Sequence, residues 1–205
     1  MAPVELALER PSLARVIKRA VDRAAQDVAM ERYARGDDAA FAAVYDAIAP
    51  RLYAFLLRQT RSEARAKDVL QQTFLKLHLA RGSFMPGAAV LPWAYAIARR
   101  LWIDTTRRAR HEVPLDVEGQ EPSDDLPPDV AVYSAEIAGR VRRVLERLPE
   151  NQRVAFQLVK EEELSIAEAA AVLGTTESAV KLRAHRAYQA LRADLGDLFP
   201  KEKEP

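Results

Sequence analysis

The sequence predicts an all-α chain of two small helical domains joined by a flexible acidic linker, with a helix-turn-helix in the second domain. Three observations lead there. Alanine, leucine and arginine are abundant, only 7 of 205 residues are glycine, and no β-branched alternation appears, so the period-two signal of strands is missing. Between His111 and Glu136 the composition turns acidic and proline-bearing. Finally, the stretch from Leu164 to Leu191 reads as two helices about a tight glycine turn. The boundaries that follow are an extra N-terminal amphipathic helix over 1–30, a first domain over 31–110, the linker over 111–135, a second domain over 136–197 and a charged tail over 198–205.

Taken in order, Pro11 and Ser12 open a helix whose stripe is Leu13, Val16, Ile17, Ala20, Val21, Ala24 and Val28, the spacing of a helix that buries one side. Its mixed charges favour packing onto its own domain over a membrane surface. Gly36-Asp37-Asp38 starts a second helix with Phe41, Val44, Tyr45 and Ile48 inward. Pro50 should break or kink it before Leu52 to Leu57 resumes. Tyr45, Tyr53 and Phe55 fit core positions at this spacing.

The helix from Ser62 carries a complete buried stripe: Ala66, Val69, Leu70, Thr73, Phe74 and Leu77. A second stripe of Asp68, Gln71, Gln72, Leu75 and Leu79 is not needed for that core. Apolar residues beside polar ones there suit a protein interface, although scattered surface leucines are also common. The run Arg81-Gly-Ser-Phe-Met-Pro-Gly87 is a loop by its glycines and proline. Pro92 then suits the first turn of a helix in which Ala94, Ile97, Ala98 and Leu101 face inward. Tyr95, Arg99, Trp102 and Thr106 are expected outward, with Arg100, Arg107, Arg108 and Arg110 adding charge. Arginines neutralise phosphates and exposed rings stack on unpaired bases. Trp93 and Trp102 as core residues, and arginines answering a helix C-terminus, remain open alternatives.

Acidic residues then recur (Glu112, Asp116, Glu118, Glu121, Asp124, Asp125, Asp129) without lysine or arginine, and Pro114, Pro122, Pro127 and Pro128 oppose a helix. Ile137, Val141, Val144, Leu145 and Leu148 begin the second domain, and Val154, Ala155, Leu158 and Val159 form a short amphipathic helix. Ser165 and Glu168 make a capping box. Ile166, Ala169, Ala170 and Leu173 share a face, and Gly174 takes the left-handed position that ends the helix. Thr176 caps the last helix, which buries Val180, Ala184, Ala187 and Leu191. Its other face shows Ser178, Lys181, Leu182, His185 and Arg186. An ordinary helical hairpin would share the spacing, but capping, turn and basic face agree on DNA binding.

Net charge of +1 averages basic and acidic segments. There is no cysteine, which excludes a disulfide framework and fits a reducing cytoplasm. No uninterrupted apolar run approaches the roughly 20 residues of a membrane span, so no membrane insertion is expected. His78, His111 and His185 are far apart, and neither HExxH nor a Gly-rich phosphate loop occurs, so no catalytic residue, metal or cofactor is expected.

In order, GDDAAFAAVYDAIAPRLYAF, DVLQQTFLKL, PWAYAIARRLWIDTTRR, LPENQRVAFQL and SIAEAAAVLGTTESAVKLRAHRAYQAL resemble bacterial extracytoplasmic-function (ECF) sigma factors of the sigma-70 family, over about Glu31 to Asp194. The resemblance implies a promoter-specificity subunit of RNA polymerase. Asp68, Gln71, Gln72 and Leu75 would dock on core polymerase. Trp93, Tyr95, Arg99, Arg100, Trp102, Arg107 and Arg108 would recognise and melt the minus-ten element. Ser178, Lys181, Leu182, Arg183, His185 and Arg186 would meet the minus-thirty-five element. The linker would thread near the polymerase active site and RNA exit path, and an anti-sigma factor is the expected antagonist. Arg100 stands where the family usually has asparagine, and Ala94 replaces a common leucine. Leu182 and His185 are unusual, and Lys160-Glu-Glu-Glu163 is more acidic than usual. A stand-alone helix-turn-helix regulator is the alternative. It predicts tight duplex binding without polymerase, on two-fold half-sites.

Overall fold

The computed structural model describes residues 13–109 and 128–196, and every regular element among them is helical. They fall into two compact units, 13–109 and 128–196. The expected linker up to Pro127, the tail over 198–205, and Arg110 and His111 lie outside the described residues.

In the first unit α1 (Leu13–Ala34), α2 (Ala40–Thr60), α3 (Glu63–Ala80) and α4 (Val90–Ala109) pack around α2, with a 3-10 turn at Arg81–Ser83. Met30, Val44, Ile48, Leu52, Phe55, Leu56, Val69, Leu77, Val90, Leu91 and Tyr95 are almost wholly buried. Each large apolar side chain removed from water contributes about 1.5–3 kcal/mol. α2 is long and apolar enough to cross a membrane by length and composition. Ala40, Val44, Ile48, Ala49, Leu52, Phe55 and Leu56 are buried against its neighbours instead, so it is the core helix of this unit.

Two sequence expectations need correction here. Of the break or kink expected at Pro50, the break does not occur, and α2 continues through it. Pro50 deprives the Asp46 carbonyl of its helical partner, but Asp46 and Pro50 are both exposed, so water can satisfy that carbonyl. The stripe expected to bury α1 is the second failure. Ile17, Val21 and Val28 are 54–61% exposed, and Ala20 and Ala24 are exposed too. The Leu13 and Val16 side chains lie outside the described residues. The helix instead buries Gln26, Ala29, Met30 and Tyr33, a face that includes the large Met30 and Tyr33 side chains.

In the second unit α5 (Pro128–Arg147) begins earlier than its sequence suggested. Pro128 is the first helical residue, where its fixed φ is favourable and its missing N–H costs nothing, so residues 128–135 are helix and not tether. α6 (Glu150–Phe156) continues into a π-turn at Gln157–Glu161, followed by α7 (Ile166–Leu173) and α8 (Glu177–Asp194). Val144 and Leu145 of α5 form one buried cluster with Leu191 and Leu195, and Val141, Leu148 and Phe156 pack against it. Arg140 donates to the Asp194 carbonyl at 2.6 Å, a cation on the negative end of α8.

Candidate polymerase and DNA interfaces

The helix-turn-helix is built as its residues dictate. Ser165 Oγ accepts from the Glu168 amide at 3.1 Å, and the Glu168 carboxylate accepts from the Ser165 amide at 2.6 Å. Gly174 sits at φ 60°, ψ 44°, and its amide donates to the carbonyls of Ala170 and Ala171. Thr176 Oγ1 accepts from Ala179 at 3.2 Å. Val180, Ala184, Ala187 and Leu191 are buried. Ser178, Lys181, Leu182, His185 and Arg186 are therefore exposed together, and Arg183 is half-buried beside them. Leu182, 50% exposed, is the apolar member of that basic face. His185 is within 3.4 Å of Gln189 one turn on.

On α3 the two stripes separate as expected. Ala66, Val69, Thr73, Phe74 and Leu77 are buried and Leu70 is half-buried. Asp68, Gln71, Leu75 and Leu79 are exposed, and Gln72, half-buried, donates to the Asp68 carboxylate at 2.9 Å. The sequence did not reveal that Asp68, Gln71, Gln72 and Leu75 line an open groove of about 690 Å³. Its other walls are Tyr33 from α1, Asp38 from the α1–α2 turn, Phe41 from α2, and Phe74 and His78 from α3. Phe41 meets Phe74 edge-on at 6.0 Å, Tyr45 lies 4.6 Å from Phe74, and Tyr33 lies 5.2 Å from Phe41. Tyr45, expected in the core, is 42% exposed at this aromatic edge. The Tyr33 hydroxyl is hydrogen-bonded to Nδ1 of His78, and the Arg81 guanidinium lies over the Tyr33 ring. Burial raises the Tyr33 phenol above its ordinary range; Arg81 partly offsets this and Asp38 adds to it. The aromatic pairing of Tyr33 with Phe41 was the available sequence signal, but only the turn at Gly36 brings the rings together.

The α4 face is where sequence and structure part. Tyr95 and Trp102, expected to point outward among the arginines, are 0% and 5% exposed. They share the inner face with Leu91, Ala94 and Ala98, and Tyr95 packs edge-on against Phe55 at 5.2 Å. Alanines alone bury little, so the helix turns its rings inward, where an aromatic side chain buries roughly 150–250 Å². Ile97 and Leu101 are left half-buried. Trp93 is half-buried with its ring 5.4 Å from Phe84. Arg100, Arg107 and Arg108 are exposed, while Arg99 and Thr106 are half-buried. The surface of α4 is thus an arginine surface with one partly covered indole. Among the described residues no cluster of His, Asp and Glu could hold a metal.

A family model described as Sigma-70 region 2 matches residues 44–112, and one described as Sigma-70, region 4 matches residues 138–191. The chain is 35% identical to the RNA polymerase sigma factor CarQ of Myxococcus xanthus, over 82% of this chain and 97% of that protein. It is 30% identical to the ECF RNA polymerase sigma factor SigW of Bacillus subtilis (strain 168), over 80% and 93%. The sigma factor RpoE in complex with the anti-sigma factor NepR from Bartonella quintana has the same fold, with a TM-score of 0.64 at 23% identity over 76% of this chain and 96% of that one.

Helices on this plan, with sigma-70 regions 2 and 4 in order, define a sigma-70-type subunit of RNA polymerase. More narrowly, the chain belongs to the ECF sigma factors. It is an alternative sigma factor: it binds core RNA polymerase and promoter DNA and directs the enzyme to promoters. Sigma factors are initiation factors, not enzymes.

Proposed function

We propose that the two domains divide this task residue by residue. The α3 stripe of Asp68, Gln71, Gln72 and Leu75 docks on core polymerase. The observation that carries the assignment is that these residues line a groove with an aromatic floor instead of contributing to the core. The groove offers apolar burial, and the carboxylate and amides at its rim give orientation. α4 faces the minus-ten element with Trp93, Arg99, Arg100, Arg107 and Arg108, the arginines engaging phosphates as the strands separate. Tyr95 and Trp102 are removed from that set by their burial. Their part is to hold α4 in place. Ser178, Lys181, Leu182, Arg183, His185 and Arg186 of α8 read the minus-thirty-five element in the major groove.

The domains we assign are a first over 31–110, which the N-terminal helix joins through Met30 and Tyr33, and a second over 136–197, which α5 extends back to Pro128. The linker over 111–127 tethers them, so each interface raises the effective concentration of the other. The chain carries no catalytic chemistry of its own, works in the cytoplasm with polymerase, and is restrained by an anti-sigma factor. Run-off transcription with purified core polymerase, with and without this protein, tests the reading. Promoter-dependent transcripts only in its presence are expected. Tight duplex binding without polymerase and no such transcripts would replace it with a stand-alone regulator.

A further inference from the structure

One side chain on the α8 face lacks the chemistry of its neighbours. Leu182 is 50% exposed, and Ser178, Lys181, His185 and Arg186 are exposed around it, none more than one turn away. Its outward direction is fixed by the residues that face inward. Val180 and Ala184, two positions to either side, are 0% and 9% exposed, which sets the rotation of the helix. The Gly174 turn and the Thr176 cap hold its first turn in place. Leu182 falls in the second turn of α8, in the N-terminal part of a recognition helix, from which side chains reach base edges.

A lysine, an arginine or a serine in such a face finds a phosphate or a base acceptor on any sequence. A leucine neither donates nor accepts. At the base edges of the major groove the apolar group on offer is the 5-methyl of thymine, whereas guanine, cytosine and adenine present acceptors and donors. Leucine pressed onto a polar edge strips its water and returns no hydrogen bond, which costs free energy. The same side chain therefore gains on thymine and loses on a G·C pair. A protein partner fits this position poorly, because one leucine ringed by polar side chains is not the contiguous apolar patch that a docking surface needs. We propose that Leu182 is a specificity-determining residue: it packs on the 5-methyl group of one thymine, which the minus-thirty-five element carries opposite the second turn of α8. This rests on the assignment of α8 to that element. If Leu182 were a solvated surface leucine and nothing more, no thymine methyl would depend on it.

The test uses holoenzyme reconstituted from core polymerase and the full chain, on a promoter from which it gives run-off transcripts. Each thymine of the minus-thirty-five element, on either strand, is replaced singly by deoxyuridine, which keeps the base pair and removes only the methyl group. Promoter affinity is read by competition at one fixed salt concentration. One replacement is expected to weaken wild-type holoenzyme about threefold to fivefold, the scale of burying one methyl group. Leu182→Ala, which stops short of the methyl, and Leu182→Asn, of similar size but polar, should bind the thymine and deoxyuridine promoters equally. Both variants should also tolerate a G·C pair at that position better than wild type does. A methyl effect that persists unchanged in both variants overturns the proposal, because another side chain then reads the thymine. If base-pair changes in the element weaken wild-type holoenzyme but no deoxyuridine does, this inference alone fails. If no change in the element alters wild-type binding, the assignment of α8 fails with it.

Discussion

Replacing Gly174 by alanine tests the turn on which the recognition helix depends. Gly174 has φ 60°, and a Cβ added there would meet nothing within 4 Å, so the penalty is purely of backbone origin. An L-residue with a Cβ in the left-handed region costs about 1–2 kcal/mol. The smaller unfolded-state entropy of alanine returns about 0.4–1 kcal/mol of that. The net expectation is a loss of about 1 kcal/mol confined to the second domain. For a unit of this size that lowers Tm by roughly 4–8 °C. Both tryptophans, Trp93 and Trp102, lie in α4. Indole emission therefore follows the first domain, while far-UV circular dichroism follows both. Gly174→Ala should move the second-domain part of the dichroism transition and leave the indole transition in place. Gly174→Asn should cost less, because asparagine tolerates the left-handed region. Since a loss near 1 kcal/mol leaves most domains folded, transcription at 25 °C should be nearly normal and fail early on warming. An alanine variant as stable as wild type, or an asparagine variant worse than alanine, would refute the reasoning.

Three further outcomes follow from the same geometry. Gln71→Ala with Leu75→Ala should lower affinity for core polymerase, seen as reduced co-purification; unchanged recovery with core would remove the groove from that role. Lys181→Ala or Arg186→Ala should weaken promoter recognition by about 1–3 kcal/mol per base contact, measured with holoenzyme, and unaltered transcription from either variant would count against the α8 face. Because the folded-state pKa of Tyr33 is raised above 10.0, its contribution is complete below that pH and is lost as pH rises through the folded value. Stability of the first domain should therefore fall in strong alkali, and Tyr33→Phe should flatten that slope; an equal slope in the variant would place the alkaline loss elsewhere.

The second domain was the most legible part of the chain because its signals are local. Ser165 and Glu168 are three residues apart, Gly174 marks its own turn, and four buried positions recur on one face of α8. The first domain was legible where one helix decides its own stripes, as α3 does. It was illegible where a neighbour decides. Tyr95 and Trp102 carry the same periodicity whether they face a core or a ligand, and Phe55 settles the matter from another helix. The groove needs Tyr33 and His78, 45 residues apart, and the loop needs Glu31 and Gly87, 56 apart. Pro50 misled for a different reason: the effect of a proline depends on whether the orphaned carbonyl faces water.

The exposed face beside the groove also bears on how long the protein survives. Tyr45, Leu75 and Leu79 are 42–69% exposed, and on the proposed docking of this groove they would stay in water whenever the factor outnumbers the polymerase it serves. Apolar surface of that kind promotes self-association, and species that expose it are drawn into chaperone and protease traffic. If the groove is the polymerase-docking site proposed above, surplus molecules would be the short-lived ones, and occupancy by polymerase would double as protection. A pulse of synthesis would then decay to the level that polymerase can shelter, without any dedicated signal to end it.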